Sequence, residues 1–181
     1  CPFYTKGSYF TPDLINPNST ILFIAQNPGP DEEAGHKLVK RHFTGNSQYH
    51  NEYINVKPQP LIGSTGQLFD RVFLPLSELK RSDISIANSI RCRPGESLGL
   101  KADGLPAVTT KMRLENSKAD IVKALKHCRD AYLTVPKSTK LIVAMGRYAQ
   151  FQLTGIQNEE SEYNKKQGVI QSWRGYGVDL P

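Results

Sequence analysis

The segment Ile21-Leu22-Phe23-Ile24-Ala25-Gln26-Asn27-Pro28-Gly29-Pro30 sets the architecture expected of this chain. It begins as a short apolar run with β-branched residues, bounded by Ser19-Thr20 before it and Pro28-Gly29 after it. That is the pattern of a strand buried on both faces, as in parallel sheets. Such a strand delivers functional residues at its carboxyl end, where ligands bind. Here that end carries two side-chain amides, Gln26 and Asn27, and then stops. Pro28 has no N–H for a ladder, and Gly29 takes turn conformations closed to other residues. Taken alone, Asn-Pro-Gly is a turn signal and nothing more.

Further elements follow the same alternation. A strand is expected at about 20–26, a second at 84–90 and a third at 140–145, with a fourth at 177–180. Helical spacing marks 67–74, 119–133 (with Ser117 as an N-cap) and 147–153, the last stopped by Gly155. Strands alternating with helices imply right-handed βαβ units. The expected fold is therefore α/β: a small central parallel sheet of about four strands with helices on both faces. Parallel strands end on one edge, which brings Asn27 and Asn88 to one pocket. Two polar stretches, 31–60 and 96–116, lack periodicity and are expected to be long insert loops of functional character. The first holds His36, His42, His50, Tyr49 and Tyr53; its histidine spacing fits no metal motif, and surface or pocket-lining positions are expected.

The chain has 181 residues, enough for one domain with a real core. Hydrophobic content of 38% and charged content of 22% describe an ordinary globular protein rather than a disordered or membrane-spanning one. No apolar run is long enough to cross a bilayer, and the amino terminus lacks a signal-peptide pattern. A cytoplasmic, nucleoid-associated location is expected, or a nuclear one in a eukaryote. Net charge is +6 and the pI about 9.2, which suits a polyanionic partner, though many basic domains bind nothing acidic. Three cysteines, Cys1, Cys92 and Cys128, argue against a disulfide framework. By themselves they are three inert buried thiols. Both ends read as clipped, so residues 1–181 are expected to form one domain of a longer polypeptide.

The motifs taken together resemble a known family. Gln26-Asn27-Pro28-Gly29, Pro60-Leu61-Ile62-Gly63-Ser64-Thr65-Gly66-Gln67-Leu68, Asn88-Ser89-Ile90-Arg91-Cys92-Arg93-Pro94, His127-Cys128-Arg129-Asp130-Ala131-Tyr132-Leu133 and Leu141-Ile142-Val143-Ala144-Met145-Gly146 occur in the order seen in the uracil-DNA glycosylase superfamily. The set looks most like the iron–sulfur, family 4 branch, and the match runs along nearly the whole chain. The resemblance implies a three-layer sandwich that flips a base out of DNA and hydrolyses its glycosidic bond in base-excision repair. It implies that Asn27, with Gln26 beside it, positions the attacking water. Asn88 matches the amide that reads uracil, with Leu61 and Gln26 also at the base. Gly63, Ser64 and Thr65 match a loop that approaches the DNA backbone. Cys1, Cys92 and Cys128 match three ligands of a [4Fe–4S] cluster, the fourth lying outside this sequence; a non-cysteine ligand or a lost cluster are the alternatives. Arg91, Arg93, Lys101, Lys111 and Arg113 lie near the cysteines in sequence and are candidates for phosphate contacts, or simply a solvated face.

Departures from the family pattern bear on substrate. The iron–sulfur branch has Glu then Gly or Ala where this chain has Gln26 and Asn27; an Asn-Pro-Gly resembles the mismatch-specific and single-strand-selective branches. Leu61 stands where the family places a stacking Phe. The family's His-Pro motif does not occur before Pro181. Three functions follow as expectations: a uracil-type DNA glycosylase, a related enzyme for another modified base, or a non-catalytic DNA-binding module of a larger replication or repair protein.

The chemistry supports these roles residue by residue. Extruding a nucleotide costs a few kcal/mol and needs grip on the backbone, which glycines and the donors of Ser64 and Thr65 supply. Bond cleavage builds negative charge on the departing base, and N–H groups near Gln26 are placed to meet it. Asn27 does not titrate usefully, so it orients water rather than deprotonating it. Its plain alternative is a side chain capping its own turn.

Overall fold

A computed structural model describes residues 2–4, 9–45, 48–93 and 122–154. At its centre is β1 (Ile21–Ala25). It is flanked by β4 (Ser85–Asn88) on one side and β5 (Leu141–Ala144) on the other, both parallel to it. Phe23 and Ala25 enter one apolar cluster with Leu61, Phe69, Leu74, Ile84 and Ile86. Leu22 and Ile24 enter another with Ala87 and Ala149. Alternate residues of one strand feed two separate cores, so both faces of the sheet are covered, as its unbroken apolar run requires.

The first cluster is closed by a helix over residues 64–76, here α2. It runs from Ser64–Leu68 through a π turn at Phe69–Phe73 into Leu74–Leu76. Pro75 has no N–H to give the carbonyl four residues back, and the helix widens into the π turn just before it. Phe69 and Phe73 stack on each other, and each meets Phe23 edge-on. The second cluster is closed by α4 (Arg147–Thr154), which follows β5. The helical residues 122–132, here α3, bring Ala124, Leu125 and Cys128 against Phe3, Ile90 and Cys92.

The three strands lie within two residues of those expected; the helix expected at 67–74 begins three residues earlier, at Ser64, and the start of the one expected at 119–133, with Ser117, lies outside the described residues. The strand expected at 177–180 and the stretch 96–116 lie outside the described residues, as does Cys1. The stretch 31–60 is not a loop. It folds as α1 (Pro30–Ala34) and an antiparallel hairpin of β2 (His36–Gly45) with β3 (Gln48–Asn55). Among the described residues its strands bury Leu38 alone, and an irregularity between Leu38 and Lys40 breaks the alternation, which is why periodicity did not reveal them. Gly35 joins α1 to the hairpin at φ 70°, and a Cβ there would meet the Val56 carbonyl oxygen at 2.2 Å. Only glycine serves that junction.

Candidate active site

The carboxyl ends of β1 and β4 are tied together. Ala25 is the register partner of Asn88. The Ser89 N–H and hydroxyl both donate to the Ala25 carbonyl at 2.8 Å, and Ile90 N–H donates to Gln26 O at 3.1 Å. Gln26, Asn27 and Asn88 therefore share one edge of the sheet, as the strand order demanded. The Gln26 side chain is exposed and Asn27 half-buried. Asn27 Nδ2 donates to Pro28 O at 2.9 Å. This is the turn-capping contact expected of the plain alternative, and it engages the amide nitrogen rather than the side-chain oxygen.

Asn88 is fully buried, and neither atom of its side-chain amide has a hydrogen-bond partner among the described residues. Its backbone N–H donates to Asp13 Oδ1 at 3.3 Å. An unpaired buried amide costs about 1–3 kcal/mol per group, so it marks a place where a ligand edge belongs.

Beside it lies a residue absent from the sequence-based assignment. Glu32 is buried, and its Oε1 accepts the Leu61 N–H at 2.9 Å. Its Oε2 makes no hydrogen bond among the described residues. Burial pushes its pKa from 4.5 up to about 7, against the opposing pull of the Leu61 and Gly29 N–H groups, the Asn88 amide and the Ile62 N–H. The Asn88 amide is thus near enough to favour the carboxylate without closing a bond of normal geometry. The signal for Glu32 was present in the chain: Pro30 followed by Asp31-Glu32-Glu33 is a helix start, with acids in the first turn. A helix so short can turn only one of the three inward. Glu33 instead accepts the Tyr9 N–H at 2.6 Å and pairs with Arg93 at 3.0 Å.

The loop before α2 is held under strain. Leu61 sits at φ 55°, a left-handed conformation that costs a non-glycine residue about 1–3 kcal/mol. Arg81 braces it from both sides, donating to Pro60 O at 3.1 Å and to Leu61 O. Gly66 allows the loop to close: a Cβ there would lie 1.8 Å from Leu61 O. The Leu61 side chain is buried in the core cluster with Phe23 and Phe69. Ser64 and Thr65 are exposed, and Gly63 approaches Asp31, with its Cβ position 3.1 Å from Asp31 Oδ2.

Cys92 and Cys128 are both buried and line one cavity of about 230 Å³ with Tyr4, Phe10, Arg91, His127 and Tyr132. Burial pushes the Cys92 thiol up, and Cys128 pushes it the same way. Among the described residues, no group of three His, Cys, Asp or Glu could hold a metal. Arg91 does not face DNA. It is 1% exposed and is held by Asp13, Cys128 O and Tyr132 O. Arg93 is paired with Glu33. Lys101, Lys111 and Arg113 lie outside the described residues.

A three-stranded parallel sheet covered on both faces, with a buried amide at its carboxyl edge that is unpaired among the described residues, defines an α/β fold of the kind that binds ligands at that edge. The family described as the uracil DNA glycosylase superfamily matches residues 12–176, and the chain belongs to it. Among curated proteins, the chain is similar to the Type-4 uracil-DNA glycosylase of Archaeoglobus fulgidus, 23% identical over 94 residues, covering 52% of this chain and 36% of that protein. It is also similar to the Type-4 uracil-DNA glycosylase of Saccharolobus solfataricus, 19% identical over 181 residues, covering 99% of this chain and 65% of that protein. The chain spans between about one third and two thirds of the length of these relatives.

Proposed function

We propose that this domain extrudes a uracil nucleotide from DNA and hydrolyses its N-glycosidic bond. The observation that carries the reading is the buried Asn88 amide, unpaired among the described residues at the same edge as Gln26 and Asn27. Uracil presents N3–H as a donor and O4 as an acceptor, and one amide answers both. In the reaction a water oxygen bonds to C1′ while the C1′–N1 bond breaks, its electron pair leaving with the base. The water proton goes to solvent, and the base anion is met by N–H groups at the end of β1. Asn27 orients that water through its side-chain oxygen, its Nδ2 being engaged by Pro28.

Cys92 and Cys128 fit a thiolate-ligated cluster: both are buried, and they line one cavity. With Cys1 they would hold a [4Fe–4S] cluster that braces α3 against the end of β4 and takes no part in hydrolysis.

A second reading, the same chemistry on another modified base, is favoured by Leu61, whose side chain packs in the core. Base release from oligonucleotides carrying uracil or other modified bases tests both. Uracil release that drops at least about tenfold with Asn27→Ala, while DNA affinity holds, supports the reading. Release of a different base alone supports the second. No release from any substrate leaves a DNA-binding module.

A further inference from the structure

We propose that the β2–β3 hairpin is a DNA-gripping arm, which takes phosphates on Lys40 and Arg41 and stacks bases on Phe43 and Tyr53 beside the extruded nucleotide. This rests on the function proposed above, since it needs DNA at the pocket. The arm is rooted at that pocket. It leaves α1 one residue beyond Ala34, three residues after Glu32, and returns a few residues before Leu61. Its base is pinned by Val56 N–H to Gly35 O and Leu38 N–H to Ile62 O, at 2.8 and 2.9 Å. Arg71 bonds Val39 O at 2.7 Å, and Lys37 pairs with Asp70 at 3.2 Å. Beyond Leu38 the strand runs on to Gly45, a reach of about 23 Å at the usual rise per residue. That is about two thirds of a turn of duplex DNA.

The register fixes what the arm presents. An irregularity between Leu38 and Lys40 resets the alternation, so Leu38, Arg41, Phe43, Asn51 and Tyr53 share one face. The Asn51 Nδ2 to Tyr53 hydroxyl bond of 3.3 Å and the His36–Tyr53 ring contact agree with this. The face that packs on the body at the buried Leu38 therefore continues outward with an arginine and exposed aromatic rings: Phe43 is 64% and Tyr53 43% exposed. Bases stack on such rings at about 1–3 kcal/mol each. The other face carries Lys40, His42 and His50 around Glu52. Between His36 and Asn55 the chain has three Lys or Arg against one acid. The sign matches a polyanion.

The test measures binding of the whole chain to a uracil-containing oligonucleotide across a salt series, separately from base release at saturating enzyme. Lys40→Ala/Arg41→Ala should weaken binding roughly tenfold at low salt and lower the salt slope by about 1–2, close to one unit for each phosphate the protein ceases to neutralise. Phe43→Ala/Tyr53→Ala should weaken binding severalfold at an unchanged slope. Circular dichroism checks folding, and the milder Lys40→Gln and Phe43→Leu serve if a double variant is not folded. Variants that bind like the parent overturn the arm. A parent that binds DNA without releasing a base overturns the proposed function alone, because the arm is scored on binding. A parent that binds no DNA overturns both.

Discussion

Asp13 and Arg91 lock the amino-terminal segment to the edge of the sheet. Asp13 Oδ2 accepts from Arg91 Nε at 3.0 Å and from Nη2 at 2.5 Å, while Asp13 Oδ1 takes the Asn88 N–H. Further guanidinium hydrogens go to the carbonyls of Cys128 and Tyr132, and the group lies over the Tyr132 ring. One carboxylate thus connects the base-reading candidate to the helix of Cys128. Burial nevertheless raises the Asp13 pKa, outweighing the attraction of Arg91.

Removing one partner of this pair leaves the other charge buried. Asp13→Ala is expected to cost about 3–5 kcal/mol, which lowers the melting temperature by on the order of 10 °C. The salt slope of DNA binding should stay as in the parent, since Arg91 meets no phosphate. A melt within a degree or two of the parent would remove the pair from the structural core.

Glu32 gives stability a specific pH dependence. The folded protein holds this proton until about pH 7, while the unfolded chain releases it near 4.5. Between those values the folded state binds more protons, so stability is full below about 4.5 and falls as pH rises through 7. The loss from this one group is at most about 3 kcal/mol. Denaturant midpoints from pH 4 to 8 should drop in that window for the parent and stay flatter for Glu32→Gln. Parallel curves for the two proteins would sink the assignment.

Asn88→Asp tests the base edge. It replaces the amide donor with an acceptor beside an existing carboxyl, so uracil release should fall about 10- to 100-fold, the worth of one good bidentate pair. Cytosine, whose N3 accepts and whose N4 donates, should lose less or gain weakly. An unchanged preference between the two bases would show that Asn88 is bonded elsewhere in the working enzyme.

For the cysteines, anaerobically prepared protein should be brown and contain iron and sulfide. Cys128→Ala should bleach it and loosen α3, seen as faster amide exchange over 122–132. A colourless, iron-free parent that is still folded would end the cluster proposal.

Much of this was readable in the chain because local rules and tertiary demands agreed. The apolar run before Gln26 could only be a doubly covered strand, and β4 and β5 repeat it. Asn27 and Asn88 then fell on one edge by topology alone. The rest was hidden for definite reasons. Among the described residues the hairpin buries Leu38 alone, and its alternation is reset before Lys40, so nothing in its pattern distinguishes it from solvated loop. Glu32 is one of three adjacent acids, and only three-dimensional packing selects which of them is buried. Arg91 looked like a phosphate contact because a basic residue beside a cysteine carries no mark of the carboxylate, 78 positions earlier, that claims it.

The central position of β1 also bears on how the chain folds. Ser89 bonds Ala25 across 64 residues, and Ser138 bonds Ser19 across 119. Neither neighbour of the strand is local, so large loops must close before any ladder bond forms. The β2–β3 hairpin, by contrast, needs only a short closure and can form within about 1–10 μs. The earliest structure to appear should therefore be the projecting arm, with the sheet that carries Asn27 and Asn88 assembling only after the 119 positions between Ser19 and Ser138 have been spanned. During synthesis β1 would wait, apolar and with at least one edge open, until residues beyond Ala144 emerge.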